Sequence, residues 1–575
     1  MNTNRSFRFA CLAALLLTIP ARAQVDFDLS FVEGSPPEFG AFFGTSLLAV
    51  DVDGDGFCDL IAGEPNADQQ GVLDSGRAWI LYGPDFQRRK LLAPRVPMQQ
   101  EFLGTSRSAF GDFDGDGHSD IVLMAPTAMD SPYLPSLMGR ARIFFGPDFE
   151  EQMLLRDPTP QDVNAFFGWY SVVVHHPATG QQELLIAAHR AWVLAPDNTF
   201  DFIGEIISWP DGPGVIGVPI ENPDPVTSST FGSTLLVADL DGDGHPELLA
   251  GRTGGGFGVP QGDIAVLDAV TKQPLWNIQA PPGTPEYGPI LSFGFSHFAG
   301  DLLGDGSVSL VAGAPSTRVG PIKPGVLFVL GGTDFSAVQH ALFPSHPAND
   351  GRYGEKAFVA DVDVDGHLDI VVPTLGSPFV ATADNVVDIH FGPDFTRVQF
   401  LNVAASSFAS EGAVGDFDGD GCLEVAVTAS LGVGQGRVYI HDRRSLHADV
   451  AEVSVSAGTS VALSLDFGIP GAHRDYLVAL SLSGTSPGLV AAPGSFLPLN
   501  PDAATLAGFA LSHTTILVDF SGILDSQGRA SAVLNWPAGA GSALIGQQLT
   551  LAAMALAPGN RPGFGSSALT LPIGP

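Results

Sequence analysis

One nine-residue pattern, Asp-x-Asp-x-Asp-Gly-x-x-Asp/Glu, returns along this chain about every 60 residues. It begins at Asp51, Asp112, Asp239, Asp361 and Asp416, and a worn copy, Asp-Leu-Leu-Gly-Asp-Gly-Ser-Val-Ser, begins at Asp301. The first-residue spacings are 61, 127, 62, 60 and 55. The doubled interval hides one more repeat, at Phe166-Phe167-Gly168, the run Ser171 to Val174, a turn through Thr179-Gly180, and Glu183 to Ala188. There the strands persist and the acidic loop is gone. Self-similarity at a fixed period means one supersecondary unit stacked or arranged in a ring, so seven copies limit the fold more than any other feature.

Each repeat carries more than its loop. Upstream stands an aromatic residue or leucine followed by glycine, as in Phe43-Gly44, Leu103-Gly104 and Tyr353-Gly354. Downstream comes a short apolar run ending in Gly, Ala or Pro, then an amphipathic run such as Gly76 to Tyr82. That run ends in turns such as Gly83-Pro-Asp-Phe86 and Gly392-Pro-Asp-Phe395. Runs of four to seven residues between Gly/Pro turns read as strands. Four short strands per repeat and seven repeats predict a seven-bladed β-propeller. A linear solenoid needs polar caps, whereas the terminal repeats here resemble the middle ones. Val25 to Phe31 is expected to complete the outer part of the last blade and close the ring.

With Phe-Gly, the acidic loop and Gly-Ala-Pro on the page, the chain resembles the FG-GAP repeat proteins, a family that includes the integrin α propeller and secreted bacterial relatives. The resemblance covers about residues 25 to 446. It implies structural calcium on one face of the propeller and a ligand surface on the opposite face.

The loop chemistry supports the same ion independently. Calcium takes about six to eight oxygen ligands. Positions 1, 3 and 5 offer Asp51, Asp53 and Asp55; Asp112, Asp114 and Asp116; Asp239, Asp241 and Asp243; Asp361, Asp363 and Asp365; and Asp416, Asp418 and Asp420. Position 7 offers a backbone carbonyl, so its side chain is free to vary as Phe57, His118, His245, His367 and Cys422. Position 9 closes the cage with Asp59, Asp120, Glu247, Asp369 and Glu424. Asp-Gly clusters also make plain hairpin turns, but five copies crowd carboxylates that repel without a cation. The helical calcium loop is excluded, because its twelfth position, a glutamate there, is Ala62, Leu123, Ala250, Val372 or Val427 here. The expectation is about five calcium sites.

Charge narrows the partners. Lys+Arg is 26 and Asp+Glu is 62, a formal charge of −36. Neither a nucleic-acid backbone nor an anionic lipid surface suits such a chain. Five divalent ions would leave most of that charge on the surface. The expected partner is a protein or a carbohydrate. Residues 1–23 read as a signal peptide, with Arg5 and Arg8, an apolar run Phe9 to Ile19, and cleavage after Ala23. That run is too short to span a bilayer, which takes about 20 residues. The protein is expected to be secreted, extracellular or periplasmic, with no membrane insertion. Cys58 and Cys422 sit at different loop positions and are not expected to pair.

Residues 24–446 are assigned to the propeller and 447–575 to an accessory domain. The latter shows alternating runs at 460–467, 475–482, 514–520, 530–536 and 549–556, the pattern of a small β-sandwich. No catalytic motif is found, and His175-His176 reads as a solvated loop tip. Two readings follow. The first is a calcium-stabilised binding or adhesion module that is not an enzyme. The second is a polysaccharide-active lyase or hydrolase on a propeller scaffold, which needs a pocket with two carboxylates outside the acidic loops.

Overall fold

The computed structural model describes residues 27–575 except for short stretches, the longest being 159–164, 195–199, 225–229, 254–260, 375–385, 403–408 and 430–435. Residues 420–422 of the last acidic loop and the whole expected signal peptide lie outside the described residues. The chain is almost entirely β, and residues 27–443 form seven four-stranded antiparallel sheets, one per repeat.

The inner strands are Leu47–Val50, Ser106–Gly111, Phe167–His175, Phe231–Ala238, His297–Gly300, Phe358–Ala360 and Ala409–Gly415. Each pairs with a second strand, which in the six sheets that keep a loop starts at the loop's last residue, as Asp59–Glu64 and Asp120–Ala125 do. These second strands are buried along their whole length. Strand side chains alternate between faces, and here each face meets a different neighbouring sheet. Ile61 packs with Ile121 and Leu123 of the second sheet, while Leu60 and Ala62 pack with Ala426 and Ile440 of the seventh. A fully apolar run such as Leu60-Ile61-Ala62 is therefore a strand covered on both sides. Seven hydrophobic cores result, one between each consecutive pair of sheets, and the one joining seventh to first closes the ring.

The Phe-Gly positions are the seams between blades. Phe43, Phe167, Phe231, Phe293 and Tyr353 are buried. Against the backbone of each lies a glycine that precedes the third strand of the blade before: Gly139 meets Phe167, Gly204 meets Phe231, and Gly436 of the last repeat meets Phe43 of the first. A methyl group there would collide with main chain, so only glycine allows the approach.

The ring is fastened by its two ends. Phe27–Glu33 is the outer strand of the seventh sheet, paired antiparallel with Arg437–Arg443 from Phe27↔Arg443 to Glu33↔Arg437. His189, His390 and His441 are buried in the ring, and burial holds them down at about 3, 4 and 4, neutral at pH 7.

Beyond the ring, Thr459–Asp466 and Arg529–Trp536 form one sheet with Leu446–Ala448 and Leu517–Val518. Gln548–Ala557 and Asp475–Ser481 lie in a second sheet, and the core between the two is shared by Val461, Leu463, Leu534, Val478 and Leu551. This region also carries one short helix, Ala503–Leu511, which begins after Asp502, whose carboxylate accepts the Thr505 amide at 3.0 Å. Its Ala-Thr-Leu-Ala-Gly-Phe-Ala-Leu run is apolar all round and lacks the polar face that marks a surface helix in sequence.

Candidate metal centres

Each acidic loop is tied by the carboxylate at its first position. Asp51 accepts the amides of Gly54 at 2.7 Å and Gly56 at 3.0 Å. Asp112 and Asp239 repeat that pair of bonds with Gly115 and Gly117, and with Gly242 and Gly244. Asp361 takes the amides of Asp365 and Gly366 instead. Its loop differs at the fourth position, where Val364 holds φ +57° in place of glycine. A β-branched residue is strained there. Its side chain is buried, and Gly468 of the C-terminal domain packs directly against it.

The fifth-position acids serve their own turn. Asp55, Asp116, Asp243 and Asp365 each accept the amide of the position-7 residue, Phe57, His118, His245 or His367, at 2.8–3.0 Å. The ninth-position acid joins two sequence motifs. Asp59 accepts the Val52 amide through one oxygen and, through the other, the amide of Gly83, which opens the Gly-Pro-Asp-Phe turn, both at 2.9 Å. Asp120 does the same with Phe113 and Gly146, and Asp369 with Val362 and Gly392. The recurring turn is thus hydrogen-bonded to the loop it follows by about 25 residues.

Five clusters of carboxylates could hold metal ions. They are Asp51, Asp53 and Asp59; Asp112, Asp114 and Asp120; Asp239, Asp241 and Glu247; Asp361, Asp363 and Asp365; and Asp416, Asp418 and Glu424. In each, three ligand oxygens lie within 4.8 Å of one another. Four clusters use positions 1, 3 and 9, and one uses 1, 3 and 5. Asp55, Asp116, Asp243 and Asp369 stand outside these groups, and Asp420 and Cys422 lie outside the described residues. The worn Asp301 loop keeps its turn, with Asp301 accepting the Asp305 and Gly306 amides, but gathers no such group among the described residues.

Burial and crowding disfavour the charged form of the ninth-position acids. Burial, opposed by the backbone amides and reinforced by neighbouring acids, pushes Asp59 up to about 7 and Asp120 to about 6. Burial and the charge of Asp363 push Asp369 up to about 8. Sets of carboxylate oxygens suit a hard divalent ion. Two clusters also touch an arginine: Arg88, stacked on Tyr82, reaches Asp53, and Arg397, stacked on Phe391, reaches Asp363.

The third sheet, whose acidic loop is gone, keeps one acid. Glu183 pairs with Val174 in the register that Asp59 holds with Val50 and Glu247 with Ala238, so it is the retained ninth-position acid. The Lys272 ammonium sits on it at 2.8 Å, His176 Nε2 at 2.8 Å, and the Ser208 hydroxyl beside them. Lys272 comes from a turn of the next sheet, 89 residues away. His176 is therefore not a free loop tip, since its Nε2 is hydrogen-bonded to Glu183. Lys272→Met is expected to destabilise the protein by about 3–5 kcal/mol, because it strands a buried carboxylate. The loss should be the same in calcium and in chelator, and the added change Glu183→Gln should recover most of it. Denaturant titration reads all three.

The comparisons agree with this geometry. The FG-GAP repeat matches residues 43–81, 231–267 and 408–441, in the first, fourth and seventh sheets. Integrin alpha-PS3 of Drosophila melanogaster is 34% identical over 94 residues, 16% of this chain and 8% of that protein. Integrin alpha-4 of Xenopus laevis is 27% identical over 101 residues, 17% and 10% of the two chains. Phosphatidylinositol-glycan-specific phospholipase D of Mus musculus is 26% identical over 178 residues, 29% and 20%. The chain thus spans a fifth or less of the length of these relatives. Among solved structures, a Dos1 propeller superposes with a TM-score of 0.36 at 9% identity, over 68% of this chain and 76% of that one, too loosely to carry an argument. The ring of sheets and the three matched repeats support a β-propeller that carries FG-GAP repeats.

Proposed function

We propose that the chain is an exported binding module in which calcium stiffens the propeller and a protein or glycan is the ligand. The observation that carries it is the repetition of one three-carboxylate group at the same end of five inner strands. A single cluster could be accidental; five in phase are a built feature. Calcium fits the oxygen donors, and extracellular modules bind it at roughly 10⁻⁴–10⁻³ M. The ions are structural: they hold loops whose acids already order the backbone. Export follows from the leader-like residues 1–23, with cleavage after Ala23. Among the described residues no helix is long and apolar enough to cross a membrane.

The functional test is retention of the purified protein on insoluble polysaccharides and cell envelopes in millimolar calcium, with released sugar assayed in the same tubes. Retention without release supports the binding module. Release of sugar overturns it in favour of a polysaccharide-active enzyme.

Calcium and protons should compete. In the metal-free fold Asp59, Asp120 and Asp369 are raised above the ordinary 3.8 to about 7, 6 and 8. Their protonation therefore stabilises the fold fully below pH 3.8, and that gain is lost as pH rises through 6–8. Calcium supplies the missing positive charge in the upper range. The difference in melting temperature between calcium and chelator is expected to be largest near pH 8 and smallest near pH 5.

A further inference from the structure

At the end of the ring away from the acidic loops, the starts of all seven inner strands surround a cavity of about 330 Å³. From Arg107 at this end to Asp112 in the loop is five strand residues, about 17 Å. The cavity is at the small end of the range that ligand pockets occupy, roughly 300–1,000 Å³. Its charged lining among the described residues is Arg107, Arg352 and Lys356 against Glu355 and Glu411. Arg352 and Glu355 offset each other at 3.5 Å.

The other three groups do not balance. Glu411 is 3% exposed and lies 3.0 Å from Lys356 Nζ and 3.7 Å from Arg107 Nη2. One carboxylate thus serves two cations, and its Oε1 has no hydrogen bond. Arg107 is held in place by the Tyr170 hydroxyl at 3.3 Å and by the Phe358 ring at 5.3 Å. Burial opposes the charge on Lys356, but Glu411 more than offsets it, so it stays an ammonium. The side chains of Arg107 and Lys356 remain 29% and 31% exposed, open to the cavity. An uncompensated cation held in a channel is costly without an anion, and here it is kept inside a chain of charge −36.

The remaining lining says what carries the anion. Hydroxyls ring the cavity, and Thr45 and Thr105 give their hydrogens to the Phe42 and Phe102 carbonyls, which leaves their oxygens as acceptors. Trp169 and Tyr170 add aromatic surface. Cations, hydroxyl acceptors and an aromatic wall together match a sugar ring that bears a carboxylate.

We propose that this channel mouth binds a uronic-acid unit, its carboxylate on Arg107 and Lys356 and its hydroxyls on the Thr/Ser ring. This names a ligand class for the binding module and rests on that reading. The experiment is calorimetric titration of the calcium-loaded protein with galacturonate, galactose and a glutamate-rich peptide. Galacturonate is expected to bind, with galactose weaker by at least about tenfold, the loss of a charged hydrogen-bonding partner. Lys356→Met should weaken galacturonate binding by a similar factor while the thermal melt shows it folded, and Arg107→Gln, which removes the other cation, should do the same and is the second variant if Lys356→Met does not fold. Equal binding of galactose, preference for the peptide, or unchanged galacturonate binding by a folded Lys356→Met would each overturn the proposal. Retention on envelopes that survives Lys356→Met would leave the binding module standing and remove only this site; retention on nothing would remove both.

Discussion

A chain that starts at Gly34 is expected to lose its closed ring and melt far below the intact protein. Phe27–Glu33 supplies the outer strand of a sheet whose other three strands come from the far end of the ring. Seven residue pairs join it to Arg437–Arg443. Its loss would also remove the Arg437–Glu33 ion pair, the Phe31–Tyr439 ring contact at 6.1 Å, and the bond from Arg89 to the Glu33 carbonyl. At roughly 0.5–1.5 kcal/mol for each strand hydrogen bond, the deletion is worth several kcal/mol. It leaves Arg437–Arg443 as an open edge, a template for association with other chains. Calorimetry should show a fall on the order of 10 °C or more, and light scattering should show self-association. An unchanged melt would mean that the ring does not depend on this fastening.

Replacing a first-position acid should weaken the fold in a calcium-dependent way. Asp112→Ala removes the acceptor of two loop amides and one member of a three-carboxylate cluster. The same holds at Asp51 and Asp239. Each substitution is expected to lower the melting temperature in calcium by several degrees and to remove one bound ion. Asp301→Ala is the internal control. It also breaks two turn bonds, from the Asp305 and Gly306 amides, but no cluster, so it should cost some stability and leave the ion count unchanged. The contrast separates hydrogen bonding, which both loops have, from metal binding, which is proposed for the five clustered loops. If Asp112→Ala and Asp301→Ala behave alike in calcium and in chelator, the loops are turns and nothing more.

Local pattern was enough for most of the fold. The apolar run Leu60-Ile61-Ala62 declares a strand because each side chain meets a neighbouring blade, and the same is true of Ile121 to Ala125. The Asp and Gly of each loop also lie within nine residues of one another, so their chemistry is readable from spacing. What escaped is what the ring brings together from afar. Lys272 reaches Glu183 across 89 residues, and no local signal announces it. A glutamate at the start of the second strand, in phase with Asp59 and Glu247, was the available clue. Arg107, Lys356 and Glu411 stand in different blades, and only ring closure makes them neighbours. Val364 was visible as the one departure from glycine among the fourth positions; its reason, the contact with Gly468, lies in another domain. The helix Ala503–Leu511 had a cap in Asp502 and Thr505 but no polar face, so its apolar residues were indistinguishable from strand material.

The most direct test of a calcium-held propeller is a count of bound ions. Equilibrium dialysis of the purified protein against radioactive calcium at millimolar concentration should give about five ions per chain, one for each carboxylate cluster. Chelation should then lower the melting temperature, since loss of bound ligand removes its share of stability. A count of none or one, with a melt indifferent to chelator, would contradict the account: the acidic loops would be turns held by their own amides.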